Sequence, residues 1–476
     1  MICVSVAPES RRLAKADILN ASRQGDLVEV CLDKLIKKPD LGDMLSGCSK
    51  PVLVSCRRKK DGGHWDRSEE ERLQLLRNAI VASPAYVELE ADIASKIPRF
   101  GNVKRLISFN SPTTPLQSID RFFSQARKNN ADVVKLSCST STLRETWPLL
   151  KAVSEKRELP VVGMPVGESD VTFSLLSRKF GSAWTYAALE ERMRSHTSQK
   201  TIWELNEAYA CGEIDRSTRF VGMVGSGQEA DSARFFNDAF RELGANVRCL
   251  PLKLGSLASA KAMLSRLKVY GLIVGSGEAA RTYPLVDHHH AAVEDSKHGD
   301  VLVCRRDGWH GYNATRKATL HAIRSTGKDL ARRRVLVIGG GSLSSSLLPL
   351  LRKADAAVSI ATPNNKTAKA LAKQHNISAV QWSAIYDTRA EFLIYADPEI
   401  SVDQASTGGL NPSVLRESMT VVDAGCCSGQ SNLIDEARVR GCTVVEPEVL
   451  RHHQLRSQFR IVTGKRLPLA MFQQGT

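Results

Sequence analysis

The chain has 476 residues, 42% of them apolar and 25% charged, with a formal net charge of +15. That length exceeds one ordinary core and suits two or three globular domains, and the composition excludes a disordered or fibrous chain. No stretch approaches the roughly 20 apolar residues of a membrane span, and the opening MICVSVAPESRR reads as a first strand, not a signal peptide.

The positive excess admits nucleic acid, an acidic surface or a small anion. The basic runs Arg57-Arg58-Lys59-Lys60 and Arg332-Arg333-Arg334 carry no interleaved aromatic residues and no helix-turn-helix or RNA-module pattern. They are read as solvated faces whose field draws anions, with no nucleic-acid or membrane partner expected. Eleven cysteines are scattered through apolar runs without a CxxC pair or zinc spacing. This points to reduced, mostly buried thiols in a cytoplasmic protein, with the adjacent Cys426 and Cys427 as packing residues.

In chain order, the strand candidates are ICVSVA (2–7), LVEVCLD (27–33), PVLVSCR (51–57), YVELEAD (86–92), RLISFN (105–110), DVVKLSC (132–138), PVVGMPV (160–166) and SAWTYAA (182–188). The clearest intervening helices are SEEERLQLLRNAI (68–80) and QSIDRFFSQARKN (117–129). Strands alternating with helices imply parallel pairing through crossovers. Eight of them in this length favour a (β/α)8 barrel over an open doubly wound sheet.

In such a barrel function gathers at the C-terminal strand ends. The polar residues there are Glu29, Arg57, Glu88, Glu90 and Lys135, and period-two alternation puts Glu88 and Glu90 on one side. A lysine within DVVKLSC is either an ion-paired or snorkelling structural group, or a desolvated nucleophile toward a ketone.

Residues 1–212 resemble type I 3-dehydroquinate dehydratases, through DLVEV, SCRRKKDGGHW, YVELEAD, ADVVKLSCST, KFGSAWTY and the SHTSQ stretch. The resemblance implies a barrel in which Lys135 forms a Schiff base with the substrate ketone, and in which Glu29, Arg57, Ser195 and Gln199 hold a small anionic cyclic acid. It implies no cofactor for the barrel. This chain departs from the family at Phe109, which stands for the acid–base histidine, and at Cys31, Asp61 and Ser174, which replace polar site residues. Without that histidine, Asp61 or Glu90 is the expected base, acting through water.

After a linker at 213–217, RFVGMVGSG (219–227) opens a strand and DSARFFNDAFRELG (231–244) a helix. RRVLVIGGGSLSSSLLPLLRK (333–353) is strand, glycine turn and helix in succession, the context a dinucleotide fingerprint requires. Gly339 makes the turn, Gly341 lets the backbone approach a pyrophosphate and Ser344 allows close packing, with Gly339, Gly340, Gly341 and Ser342 as the expected cofactor contacts. A phosphate-free helix start is the alternative. AAVSIAT (356–362), TAKALAKQHN (367–376), FLIYAD (392–397) and TVVDAG (420–425) continue the alternation. The run His288-His289-His290, with His298 beyond, lacks a carboxylate at ligand spacing and is read as a solvated loop or helix face without a metal.

Residues 218–476 resemble shikimate dehydrogenase, joined behind the dehydratase as in bifunctional plant enzymes, through GYN (311–313), the glycine turn, Ser431, Leu433 and QLRSQFRIVTGKRLP (454–468). The resemblance implies NADP as cofactor and Ser232, Asn313 and Gln454 as substrate contacts. Departures are Thr315 for the catalytic aspartate, Ala279 near the catalytic lysine, Ala230 for one carboxylate-binding serine, and Thr362-Pro363-Asn364 for the NADP phosphate clamp, with Lys366 nearby.

The sequence therefore predicts an α/β protein: a barrel at 1–212, a substrate domain at 218–320, a Rossmann-like domain at 321–440 and C-terminal helices at 441–476 packing back on the substrate domain. The expected function is 3-dehydroquinate dehydration in the shikimate pathway, fused to a dehydrogenase-like module of weak or lost activity. Two alternatives stay open: a non-catalytic sensor of a quinate-like acid or a nucleotide, and an enzyme with a changed substrate.

Overall fold

Each of the eight apolar runs is a strand: β1 Ile2–Val6, β2 Leu27–Cys31, β3 Val52–Ser55, β4 Tyr86–Glu90, β5 Lys104–Ser111, β6 Val133–Ser139, β7 Val161–Val166 and β8 Thr185–Ala188. The computed structural model describes residues 1–37, 39–111, 119–225, 229–397, 399–403, 408–425, 431–468 and 471; Cys426 and Cys427 lie outside them. The strands are hydrogen-bonded in the order β7-β6-β5-β4-β3-β2-β1-β8, with parallel neighbours. The amide of Ala183 donates to Val161 across the remaining gap between β8 and β7. Helix Glu69–Val81 begins where the sequence SEEE predicts, with a capping box between Ser68 and Glu71.

The barrel interior changes character along the strands. Cys3, Leu27, Leu53, Leu106 and Val133 form an apolar floor with Val162, Trp184 and Tyr186, against which Tyr86 packs. Each fully buried aliphatic side chain there contributes about 1.5–3 kcal/mol. Two residues further along each strand, on the same face, stand Ser5, Glu29, Ser55, Glu88, Ser108 and Lys135. The polar layer thus rests on an apolar floor, toward the C-terminal strand ends.

By compactness the chain divides into Met1–Phe220 with Ala233–Leu267, and Val221–Ser232 with Lys268–Thr476. The sequence reading assigns 233–267 to the second module; by compactness it groups with the barrel, to which it is hydrogen-bonded. Asn237 donates to the Ala208 carbonyl, Leu143 N–H to the Lys253 carbonyl, and Thr172 Oγ1 to the Pro251 carbonyl.

In the second unit, β11 (Val269–Val274), β13 (Val301–Arg305) and β14 (Gly308–Tyr312) run antiparallel, and the short β12 (His288–His289) pairs with β14. A second sheet is wholly parallel, in the order Ser378–Ala379, Ala357–Ala361, Arg334–Ile338, Phe392–Tyr395, Thr420–Asp423, Thr443–Val444. Its order reverses beside Arg334–Ile338, the strand that feeds the glycine turn and helix Ser342–Lys353, which is the topological switch point of a doubly wound fold. Among the described residues no helix is long and apolar enough to cross a membrane. Seven of the nine described cysteines are buried.

Candidate active site in the barrel and a remodelled glycine turn

Lys135 is fully buried, and its Nζ lies 2.9 and 3.1 Å from the two Glu88 oxygens and 4.9 Å from the Tyr186 ring centre. Arg57 Nη2 donates to Glu29 Oε1, and its Nε stands 3.7 Å from Glu88. Ser5 and Ser55 hydroxyls donate to Glu29 at 2.6 and 3.0 Å. Burial raises the Glu29 carboxyl, but Arg57, Lys135 and the two hydroxyls outweigh it and hold the group below its usual range. Burial, then Glu29, push the Tyr186 phenol far up, so it stays protonated.

The loop after β8 carries the other predicted contacts. Gln199 Oε1 accepts from the Ser195 amide at 2.7 Å, while its Nε2 is buried without a hydrogen-bond partner. Arg57 Nε, Tyr186 OH and His196 Nε2 share that condition. Buried polar atoms are normally satisfied, so four such atoms in one barrel fit a polar ligand.

His196, in SHTSQ between Ser195 and Gln199, is a candidate that the sequence reading did not single out. Its Nδ1 lies 3.0 Å from Ser198 Oγ and its Nε2 3.9 Å from Asp170 Oδ1. Burial and then the Arg57 charge press its pKa down to about 4, leaving it neutral near pH 7. Burial pushes the Asp170 carboxyl up to about 8, against the Lys200 amide and charge.

Several expectations need correction. Asp61 is held 2.5 Å from Arg58, and Glu90 accepts from Arg72 at 2.9 and 3.0 Å, so arginines occupy both carboxylates proposed as bases. Glu88 and Glu90 share a strand face, but their carboxylates part, one to Lys135 and the other to Arg72. The Arg57–Lys60 run is only partly a solvated face: Lys59 and Lys60 are exposed, but Arg57 is buried and Arg58 pairs with Asp61 and Asp92. Phe109 packs on Phe122 with centroids 4.7 Å apart, an apolar contact where the resemblance calls for a histidine. Cys31 Sγ receives Arg57 Nη2 at 3.4 Å, its thiol pushed up by burial. Ser174 is a buried residue of helix Asp170–Phe180.

In the second unit a small cleft is lined by Ser232, Thr315, Arg451, Gln454 and Gln458. Arg451 Nη2 donates to Ser232 Oγ at 3.2 Å, bringing in a cation the sequence reading did not foresee. Asn313 is turned away from this group, donating to the His298 carbonyl at 3.2 Å. The Thr315 amide instead meets Asp300, whose carboxylate accepts from the Ala314 and Thr315 amides at 2.6 Å each.

The glycine turn was tested against the NADP that the resemblance implies. Gly339 has φ of +127°, and a Cβ there would lie 2.5 Å from Asp397 Cβ, so glycine is required. Gly340 N–H donates to Asp397 Oδ2 at 3.2 Å, and Ser342 Oγ is taken by His298 Nδ1 at 2.9 Å. Gly341 has open space around its Cβ position. An amide that should meet pyrophosphate thus already serves a carboxylate, whose charge repels phosphate. Thr362, Pro363 and Asn364 offer no guanidinium, and Asn364 caps the helix Asn365–His375. The residues present do not fit NADP.

The histidine run is neither a free loop nor a helix face. His288 and His289 form β12, and His298 is fully buried. The missing carboxylate is Asp307, which lies 2.9 Å from His310 Nε2 and 3.6 Å from His288 Nε2.

A parallel eight-stranded barrel with an ion-paired lysine above an apolar floor, followed by a doubly wound unit, defines the class of two-module α/β proteins with a lysine-centred barrel. Residues 2–216 match the family model of type I 3-dehydroquinase. The whole chain is similar to the chloroplastic bifunctional 3-dehydroquinate dehydratase/shikimate dehydrogenase of Arabidopsis thaliana. They are 25% identical over 521 residues, covering 100% of this chain and 84% of that one. A 3-dehydroquinate dehydratase of Dehalococcoides mccartyi is 26% identical over 44% of this chain and 95% of its own. Among solved structures, the shikimate dehydrogenase of Aquifex aeolicus aligns with a TM-score of 0.49 at 19% identity, over 55% of this chain and 98% of its own. The dehydroquinate dehydratase and shikimate dehydrogenase of S. pombe aligns with a TM-score of 0.44 at 16% identity, over 99% and 98%.

Proposed function

We propose that the barrel removes water from 3-dehydroquinate or a close cyclic keto acid through an imine on Lys135. The observation that carries this reading is the buried Lys135–Glu88 pair beside Arg57, Gln199 and His196, each with an unpartnered nitrogen. The Lys135 ammonium gives a proton to Glu88, and the freed amine attacks the ketone carbon. Loss of the carbonyl oxygen as water leaves an iminium, which acidifies the neighbouring C–H. His196, neutral and with Nδ1–H donating to Ser198, takes that proton on Nε2 and returns it to the departing hydroxyl. Water then hydrolyses the iminium, restoring the ketone and Lys135, so the net change is one water lost. Arg57 and Gln199 supply donors to the carboxylate and hydroxyls of the substrate.

The second unit carries no hydride step in this reading. Its cleft, with Arg451, Gln454 and Ser232, suits a small carboxylate without a nucleotide. The mostly buried cysteines, scattered without pairing motifs, support a reducing compartment such as the cytoplasm. The test is turnover: dehydration creates a double bond conjugated to the ketone, so absorbance in the near ultraviolet rises with wild type and not with Lys135→Ala. A second reading, a sensor that binds such an acid without turning it over, is favoured by Phe109 at the histidine position and by Asp397 on the glycine turn. Saturable binding with no absorbance change decides for it.

A further inference from the structure

We propose that His288, Asp307 and His310 form a binding site for a divalent ion of the zinc class. Strand register brings the histidines together: in the β12–β14 pair His288 stands beside His310, with ring centroids 4.6 Å apart and planes 28° from parallel. Both Nε2 atoms turn toward Asp307 in the β13–β14 turn, and the ligand atoms of all three residues lie within 4.8 Å of one another. A tetrahedral ion with bonds of about 2.0–2.2 Å separates its ligand atoms by about 3.3–3.6 Å. The Asp307 oxygens, at 2.9 and 3.6 Å from the two nitrogens, bracket that separation. The Asp307 carbonyl, 3.0 Å from His288 Nε2, is a further oxygen on the same side.

The turn that holds Asp307 is fixed before any ion arrives. Gly308 has φ of +133°, and a Cβ there would come within 2.8 Å of Asp287 Oδ2. Asp287 in turn accepts from the Trp309 amide at 2.9 Å. Arg305, on the hairpin, points its guanidinium to the Tyr312 hydroxyl at 2.8 Å. Imidazole nitrogens with one carboxylate suit zinc, cobalt or nickel, not magnesium or calcium. With three protein ligands an outer position stays open to water, and the ion ties β12 to the hairpin.

The full chain, stripped with a chelator, is titrated with Zn2+, and separately with Co2+ to read the ligand set from its visible bands. The expected result is about one zinc ion per chain, no response to Mg2+, and cobalt bands without thiolate charge transfer. His288→Ala and Asp307→Asn, both at exposed positions, each weaken binding at least about tenfold while circular dichroism is unchanged. Absence of zinc binding, or binding that survives both substitutions undiminished, overturns the proposal; the second outcome places the ion on the cysteines.

Discussion

His196 Nε2 stands 3.9 Å from Asp170 Oδ1, and burial moves the two groups in opposite directions. The carboxyl is pushed up to about 8 and the imidazole down to about 4, so near neutrality the proton rests on Asp170 and His196 is an unprotonated base. His196→Gln is therefore expected to lower kcat for dehydration by about 10²-fold or more while leaving imine formation on Lys135 intact. Steady-state rates together with adduct mass check this; equal loss of both would remove His196 from the proton step.

The same carboxyl has a stability signature. A pKa raised in the folded state contributes stability that is complete below the unfolded value of 3.8 and is lost as pH rises through about 8. Asp170→Asn removes that loss. The melting temperature of the variant should exceed that of the wild type by a margin that widens from pH 5 to pH 8.5, reaching at least about 2 °C. His196 acts at the other end: its depressed pKa favours the fold above pH 6.5, and this is lost as pH falls through about 4.

Glu88 and Lys135 are an unequal pair. Removing Lys135 leaves Glu88 with Arg57 at 3.7 Å, whereas removing Glu88 leaves a fully buried ammonium without its hydrogen-bonded carboxylate. Glu88→Ala should cost about 3–5 kcal/mol and Lys135→Ala clearly less, as read from the urea midpoint of the barrel transition. Equal costs would show that Arg57 does not support Glu88.

At the glycine turn, the wild type is expected not to bind NADP or NADPH. Asp397→Ala frees the Gly340 amide and removes a negative charge, and should strengthen binding of a dinucleotide or its ADP portion by about tenfold, or 1.4 kcal/mol. Calorimetry measures both. Tight NADP binding by the wild type would contradict the misfit argued from Asp397 and Ser342.

The barrel was legible because its signal is local: strands of β-branched residues at regular intervals, and a capping box where SEEE begins a helix. The polar layer was legible for the same reason, since a glutamate or lysine breaks an apolar run at period two. Partnership was not legible. That Glu90 turns to Arg72 while Glu88 turns to Lys135 depends on a helix packed outside the strand, and that Asp307 meets His288 depends on strand register across a hairpin. His196 was visible beside Ser195, but its burial and its place 3.9 Å from Asp170 depend on the folded loop after β8. The grouping of 233–267 with the barrel goes with hydrogen bonds from the Leu143 amide and the Asn237 side chain that no spacing reveals.

The most direct test is the intact mass of the protein after incubation with 3-dehydroquinate and borohydride, for wild type and Lys135→Ala. A reduced covalent adduct on the wild type alone is the predicted result. A folded wild-type protein that gains no mass would contradict the imine mechanism and leave the barrel as a binding site.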